Sequence, residues 1–183
     1  VEKFVLEDLP VPGADAGSLL LQVTAIGVNP VDWKIRQGGH RRMYELTFPA
    51  TIGRDCAGVV VESGVPEFKP GDRVLAVSDQ GRGFQGAHAP YARVPVDFAT
   101  KIPDGVSDTD AVAFGVAGTS AWIPLVEMAK VGPGMRILVQ AGAGGVGGIA
   151  VQLAHHLGAE VFATCGPKNI EYVKSLGADR VID

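Results

Sequence analysis

The stretch ILVQAGAGGVGGIAVQLAHHLGAEVFATCG, from Ile137 to Gly166, decides the fold. It opens inside RILVQA, a short and unbroken apolar run that reads as a buried strand. Glycines follow at Gly142, Gly144, Gly145, Gly147 and Gly148. The chain then resumes as GIAVQLAHHLG, where Ile149, Leu153, His156 and Leu157 recur at helical spacing and Gly158 marks the stop. AEVFATC reads as a second strand. NIEYVKSLG reads as a second helix, with Ile170, Val173 and Leu176 on one face, and DRVID opens a third strand. Alternating strands and helices with short connections predict a parallel α/β sheet.

Glycine costs backbone entropy, so five of them between two ordered segments need a reason. Gly142, Gly144 and Gly147 form G-x-G-x-x-G directly after a strand and at the opening of a helix, the context in which that motif carries weight. The first glycine is expected to allow a tight turn, the second a close approach of backbone to a pyrophosphate, and the third close packing of helix on strand. Amides at the helix start, including those of Gly145 and Val146, would face the phosphates with the helix dipole behind them. The bland alternative is a glycine-rich turn that holds no ligand. Sites that prefer NAD place a carboxylate about 20 residues after the motif begins, to bind the ribose. Here Ala163, Thr164, Cys165 and Gly166 stand at the strand end, and Lys168 follows. A carboxylate would repel a 2′-phosphate and a lysine attracts it, so NADPH is the expected cofactor. Cys165 and Lys168 join the cofactor-binding candidates. The alternative for Lys168 is a solvated surface lysine, although a cation near a helix N-terminus is disfavoured unless an anion is close.

Toward the N-terminus the texture changes. SLLLQVTAIGVN is strand-like from Leu19 to Ile26, CAGVVVES from Cys56 to Ser63, DRVLAV from Asp72 to Val77, and AHAPYARVP near Tyr91. Short strands punctuated by Gly and Pro predict a β-barrel-like domain. From Ser107 the pattern turns helical: Ser107 with Asp110 three residues on is a capping signature, while Gly115, Gly118 and Pro124 are expected to interrupt the helix. The expected domains are therefore residues 1–106 and residues 107–183.

The 183 residues carry a net charge of -4 and no dense basic run, which argues against binding nucleic acid by phosphate neutralisation. No apolar run of about 18 residues appears, so no membrane span is expected. Cys56 and Cys165 are too few for a disulfide framework or a four-cysteine zinc lobe, and both read as buried thiols of a reducing, cytoplasmic protein. The chain begins at Val1 and ends at Asp183 within a strand pattern. It is expected to be a piece of a longer protein, which leaves open a targeting segment outside it.

Six segments occur in order along nearly the whole chain: VNPVDWKIRQG from Val28, FPATIGRDCAGVVVESG from Phe48, FKPGDRV from Phe68, PYARVP from Pro90, VAGTSAW from Val116 and AGAGGVGGIAVQLA from Ala141. On these the chain resembles the medium-chain dehydrogenase/reductase superfamily, and within it the zinc-independent quinone oxidoreductase branch that includes zeta-crystallin. The resemblance implies a GroES-like barrel followed by an incomplete Rossmann domain, with the active site in the cleft between them. Zinc alcohol dehydrogenases of the superfamily have a cysteine in the stretch matching GVNPVD and a histidine in the stretch matching IGRDCAG. Here Asn29 and Arg54 lie in those stretches, and His40, His88, His155 and His156 have no ligand spacing with the cysteines. No zinc is expected, and a quinone or an α,β-unsaturated carbonyl fits better as hydride acceptor than an alcohol does as donor.

The resemblance also suggests site residues. The segment from Asn29 to Lys34 lines the nicotinamide end of the cleft in relatives. Asn29 is a candidate hydrogen-bonder to cofactor or substrate, or else a turn asparagine before proline. Asp32 either orients Lys34 or caps WKIRQ, and Lys34 is a candidate to polarise a carbonyl. Trp33 is either an apolar wall or a core tryptophan. Ser120 matches the family threonine whose hydroxyl contacts the cofactor, with Thr119 beside it. The implied function is NADPH-dependent reduction of a quinone or enone. The alternatives are a crystallin-like NADPH-binding protein with little turnover, an alcohol dehydrogenase, and an enoyl reductase domain cut from a larger synthase. A homodimer of the full-length protein is an open expectation.

Overall fold

The computed structural model describes residues 5–39, 42, 46–80 and 83–183. The chain divides into two compact units, residues 1–116 and 117–183.

The first unit is an antiparallel sheet of β1 (Ser18–Gly27), β2 (Asp55–Ser63), β3 (Arg73–Val77), β4 (Tyr91–Pro95) and β5 (Ala99–Lys101), in the order β4-β1-β2-β3-β5. β1 lies inside the sheet and pairs on both sides, Leu21 opposite Val60 on β2 and Ala92 on β4. No β4–β5 ladder is found among the described residues, so the expected barrel is an open sheet rather than a ring of strands. The apolar core under it is made by Leu19, Leu21, Cys56, Val60, Val74 and Val94, each 2% exposed or less. β-branched and leucine side chains on one pleat face bury together, which holds the register.

Two helices belong to this unit. α1 (Pro30–Arg36) begins with proline at its first position, where the missing amide costs nothing. α2 (Asp108–Val112) has Ser107 as its N-cap, the hydroxyl accepting from the Asp110 amide at 3.1 Å, as the spacing predicts. Ala111 and Val112 bury against Ala57 and Ile102, so this helix packs on the sheet of the first unit. The compact unit thus runs past the change of texture at Ser107.

The second unit holds a parallel sheet, β6 (Arg136–Val139), β7 (Glu160–Thr164) and β8 (Arg180–Ile182), in the order β6-β7-β8. α4 (Gly145–His156) and α5 (Ile170–Ser175) connect the strands. α3 (Val116–Trp122) precedes them and runs into a π-helix over Ile123–Met128. The glycine at 115 lies at a helix break, but Gly118 sits inside α3 and Pro124 does not end the helix. A proline has no amide to donate, and here the ladder widens to the π pattern, with the Ala129 amide donating to the Pro124 carbonyl at 2.9 Å. α4 starts three residues ahead of the periodic run. Its buried face is Gly148, Ala150, Val151 and Ala154, while Ile149, Leu153 and Leu157, which mark the helical spacing, are half-buried and His156 is exposed. Small residues let the helix lie close on β7, while the larger ones stand at the margins.

Candidate functional site

Two sets of residues carry chemistry, one in each unit. The first is the crook between β6 and α4. The Gly142 amide donates to the Thr164 carbonyl at 2.8 Å, and the Ala141 amide donates to the Thr164 hydroxyl at 3.1 Å. The end of β7 thereby fixes the turn that leaves β6. The Gly144 amide closes the turn onto the Ala141 carbonyl at 2.9 Å, and Gly144 is the N-cap of α4.

The glycines divide by cause. A Cβ on Gly147 would overlap the Ala141 carbonyl oxygen, as expected of the glycine that brings helix to strand. A Cβ on Gly142 would stand 3.0 Å from the Ala163 Cβ and 3.2 Å from Val173. Gly142 is therefore tightly packed against β7 and α5, whose side chains would have to give way to a Cβ. The left-handed residue in the turn is Ala141, at φ 54°, and not the first glycine. A Cβ on Gly145 would meet nothing within 4 Å. No neighbour among the described residues demands a bare backbone there.

Gly144, Gly145 and Val146 are exposed at the start of α4, Val146 by 42%. The first amides of a helix have no acceptor within it, and they carry the positive end of its dipole. The crook thus offers clearance and donors together, and its residues fit a dinucleotide pyrophosphate. At the end of β7, Cys165 is half-buried against the core, so the expectation of two buried thiols holds for Cys56 alone. Lys168 is exposed in a 3-10 turn, Pro167–Asn169, that leads into α5. Ser120 and Thr119 are both exposed on α3.

The second set lies in the first unit, where α1 meets β2. Asn29, half-buried, precedes the helix, and its amide donates to Asp32 Oδ2 at 2.7 Å. Asp32 is 2% exposed, and its other oxygen is buried without a partner among the described residues. Its place is that of a helix cap, and Lys34 is exposed, with its ammonium 5.7 Å from the Trp33 ring centre. Trp33 is 45% exposed, which sets aside the core tryptophan.

Sequence reasoning passed over Asp55. It is the first residue of β2, 2% exposed, and Oδ2 accepts from Asn29 Nδ2 at 2.8 Å. The Val116 amide donates to both oxygens, at 3.0 and 3.1 Å. Burial pushes the Asp55 carboxyl above its usual range, the two hydrogen bonds pull it back, and neighbouring Asp32 adds to the rise. The available signal was a lone carboxylate at the head of an apolar strand, a group that needs partners once buried.

Among the described residues, no group of three or more His, Cys, Asp and Glu side chains is placed to hold a metal ion. His88 Nε2 lies 3.1 Å from the Gly27 carbonyl, His155 and His156 are exposed on α4, and His40 lies outside the described residues. No helix among the described residues is long and apolar enough to cross a membrane.

Residues 15–104 match the alcohol dehydrogenase GroES-like domain. A chloroplast envelope quinone oxidoreductase homolog from Arabidopsis thaliana is 43% identical over 182 residues, which cover 96% of this chain and 55% of the relative. The solved structure of an alcohol dehydrogenase superfamily protein from Novosphingobium aromaticivorans superposes with a TM-score of 0.90 at 38% identity, covering 99% of this chain and 55% of that one. A mycobacterial protein solved in complex with NADPH superposes at 0.83, with 35% identity, over 97% of this chain and 52% of its own. The chain belongs to the medium-chain dehydrogenase/reductase superfamily, in its quinone oxidoreductase branch. It spans about half the length of the relatives it matches.

Proposed function

We propose that the protein is an oxidoreductase that uses NADPH to reduce a quinone or an α,β-unsaturated carbonyl, without zinc. The observation that carries the reading is the crook at 141–147, with a glycine at 145 that no packing contact requires, exposed amides at the head of α4, and no carboxylate at the end of β7. NADPH supplies the hydride when it is bound. Gly144, Gly145 and Val146 hold the pyrophosphate through main-chain amides. Lys168 and the turn after Cys165 receive the 2′-phosphate, and Ser120 offers a hydroxyl to the cofactor. In the first unit, Asn29 presents its amide to cofactor or substrate. Lys34, on the exposed side of α1, offers a cation to the carbonyl oxygen of the acceptor as negative charge builds on it. Asp32 holds the start of that helix in place. Asn29 and Arg54, where zinc relatives have ligands, support the metal-free reading. Residues 1–106 serve the substrate and residues 107–183 the cofactor.

The test is a titration of the full-length protein with NADPH and NADH, followed by oxidation of each with a panel of quinones and enones. Tighter binding of NADPH with steady turnover is expected. Equal binding of the two would remove the role of Lys168. Tight binding without turnover would replace the reductase with an NADPH-binding protein of little activity.

A further inference from the structure

We infer that Asp55 is a positioning residue for the reaction, fixing which way the side-chain amide of Asn29 faces; this rests on the proposed reading of Asn29 as a contact to substrate or cofactor. An ionised carboxylate only accepts hydrogen bonds. Both Asp55 oxygens accept from the Val116 amide, and with the carboxyl ionised the Asn29 side chain, 2.8 Å from Oδ2, presents nitrogen inward while its carbonyl oxygen takes the opposite side. Chemistry fixes this sense, which geometry alone leaves open for an amide.

Asp55 is itself held. The Val116 amide donates to both its oxygens. A Cβ on Gly27 would lie 2.9 Å from the Asp55 Cβ, and one on Gly115 would overlap its Oδ1, so bare backbone walls it on two sides. The main chain of Asn29 is fixed separately through Asp32. Two buried carboxylates thus grip one asparagine, one by its backbone and one by its side chain. An asparagine at 55 would serve the Val116 amide as well, through its carbonyl. It would also face Asn29 with either a donor or an acceptor, and the sense would be lost. A buried anion is costly, and the task that calls for one here is this one-way hydrogen bond.

The test compares full-length parent, Asn29→Ala, Asp55→Asn and the double variant with NADPH and 1,4-benzoquinone, folding being checked by thermal melting. The expected result is a fall in kcat of about tenfold in each single variant, a smaller change in KM, and no further loss in the double variant. Folded Asp55→Asn with kcat within about twofold of the parent, or losses that multiply in the double variant, would overturn the role of Asp55. Asn29→Ala with full activity would overturn it too, while leaving NADPH reduction itself standing. A second readout needs no turnover. In nitrogen-edited NMR spectra the Asn29 side-chain amide should shift in Asp55→Asn, and in Asn29→Ala the carboxyl titration of Asp55 should move upward. If neither moves, the pairing is refuted whatever the enzyme does.

Discussion

Gly145 and Gly147 stand two positions apart, one with open space where a Cβ would go and the other with none, which makes them a controlled pair. Gly147→Ala should distort the crook, because its Cβ overlaps the Ala141 carbonyl oxygen. A loss of about 1–3 kcal/mol in thermal or urea unfolding is expected, together with loss of NADPH binding. Gly145→Ala meets no neighbour. It should leave stability unchanged or raise it by about 0.5–1 kcal/mol, yet, on the proposed role of the crook, weaken NADPH binding in a fluorescence titration. Thr164→Val keeps shape but removes the acceptor of the Ala141 amide, with an expected loss of about 1 kcal/mol in the same unfolding assay. Lys168→Glu should lower affinity for NADPH about tenfold or more and leave NADH little changed. The motif could be read from its spacing because it constrains backbone, and backbone constraints leave glycines in the sequence. Which glycine answers to packing, turn or ligand could not be read so, because Ala163, Val173 and Ala141 crowd the turn only after the strands and helices close on it. Asp55 escaped notice for the same reason: its partners Asn29 and Val116 lie 26 and 61 residues away.

The short helices show how elements are pinned. α2 is five residues long, too short to persist on intrinsic propensity. Beyond its Ser107 cap it is tied to the sheet by Asp108, which accepts from the Thr24 hydroxyl at 2.6 Å and from Arg73 at 2.5 Å. Those contacts, the Thr24 bond first, hold the Asp108 carboxyl below the usual range. A carboxyl lowered in the folded state adds stability above its unfolded value of 3.8, and that stability is lost as the pH falls through the folded value. Asp108→Asn should therefore be less stable than the parent at neutral pH, and the gap should close below that value in urea melts taken across pH. Ser107→Ala should cost about 1 kcal/mol at neutral pH. The cap at Ser107 was legible because it depends on residues three apart. The face of α4 was not, since apolar periodicity marks large side chains and the sheet selects small ones, Ala150 and Ala154 among them. Likewise, Pro124 is a breaker by rule, but the widened turn over Ile123–Met128 absorbs the missing amide.

The two sheets differ in kind, and the sequence reports each in its own way. β6, β7 and β8 are consecutive neighbours joined through helices, so their order follows from the alternation of patterns alone. The antiparallel sheet places β4 beside β1, far away in sequence, and nothing in the local pattern tells an open sheet from a closed barrel. Each unit also holds one cysteine, under different conditions. Cys56 is 0% exposed in the middle of the antiparallel core, and burial pushes its thiol up to about 12. Cys165 sits half-covered at the end of β7. Alkylation proceeds through the thiolate, so iodoacetamide should label Cys165 in the native protein, whereas Cys56 should remain unmodified until its sheet opens. The chain thus carries a chemical clock and its own reference: mass spectrometry along a denaturant series would time the opening of the antiparallel sheet by the Cys56 peptide, against the Cys165 peptide that is labelled throughout, with no probe introduced.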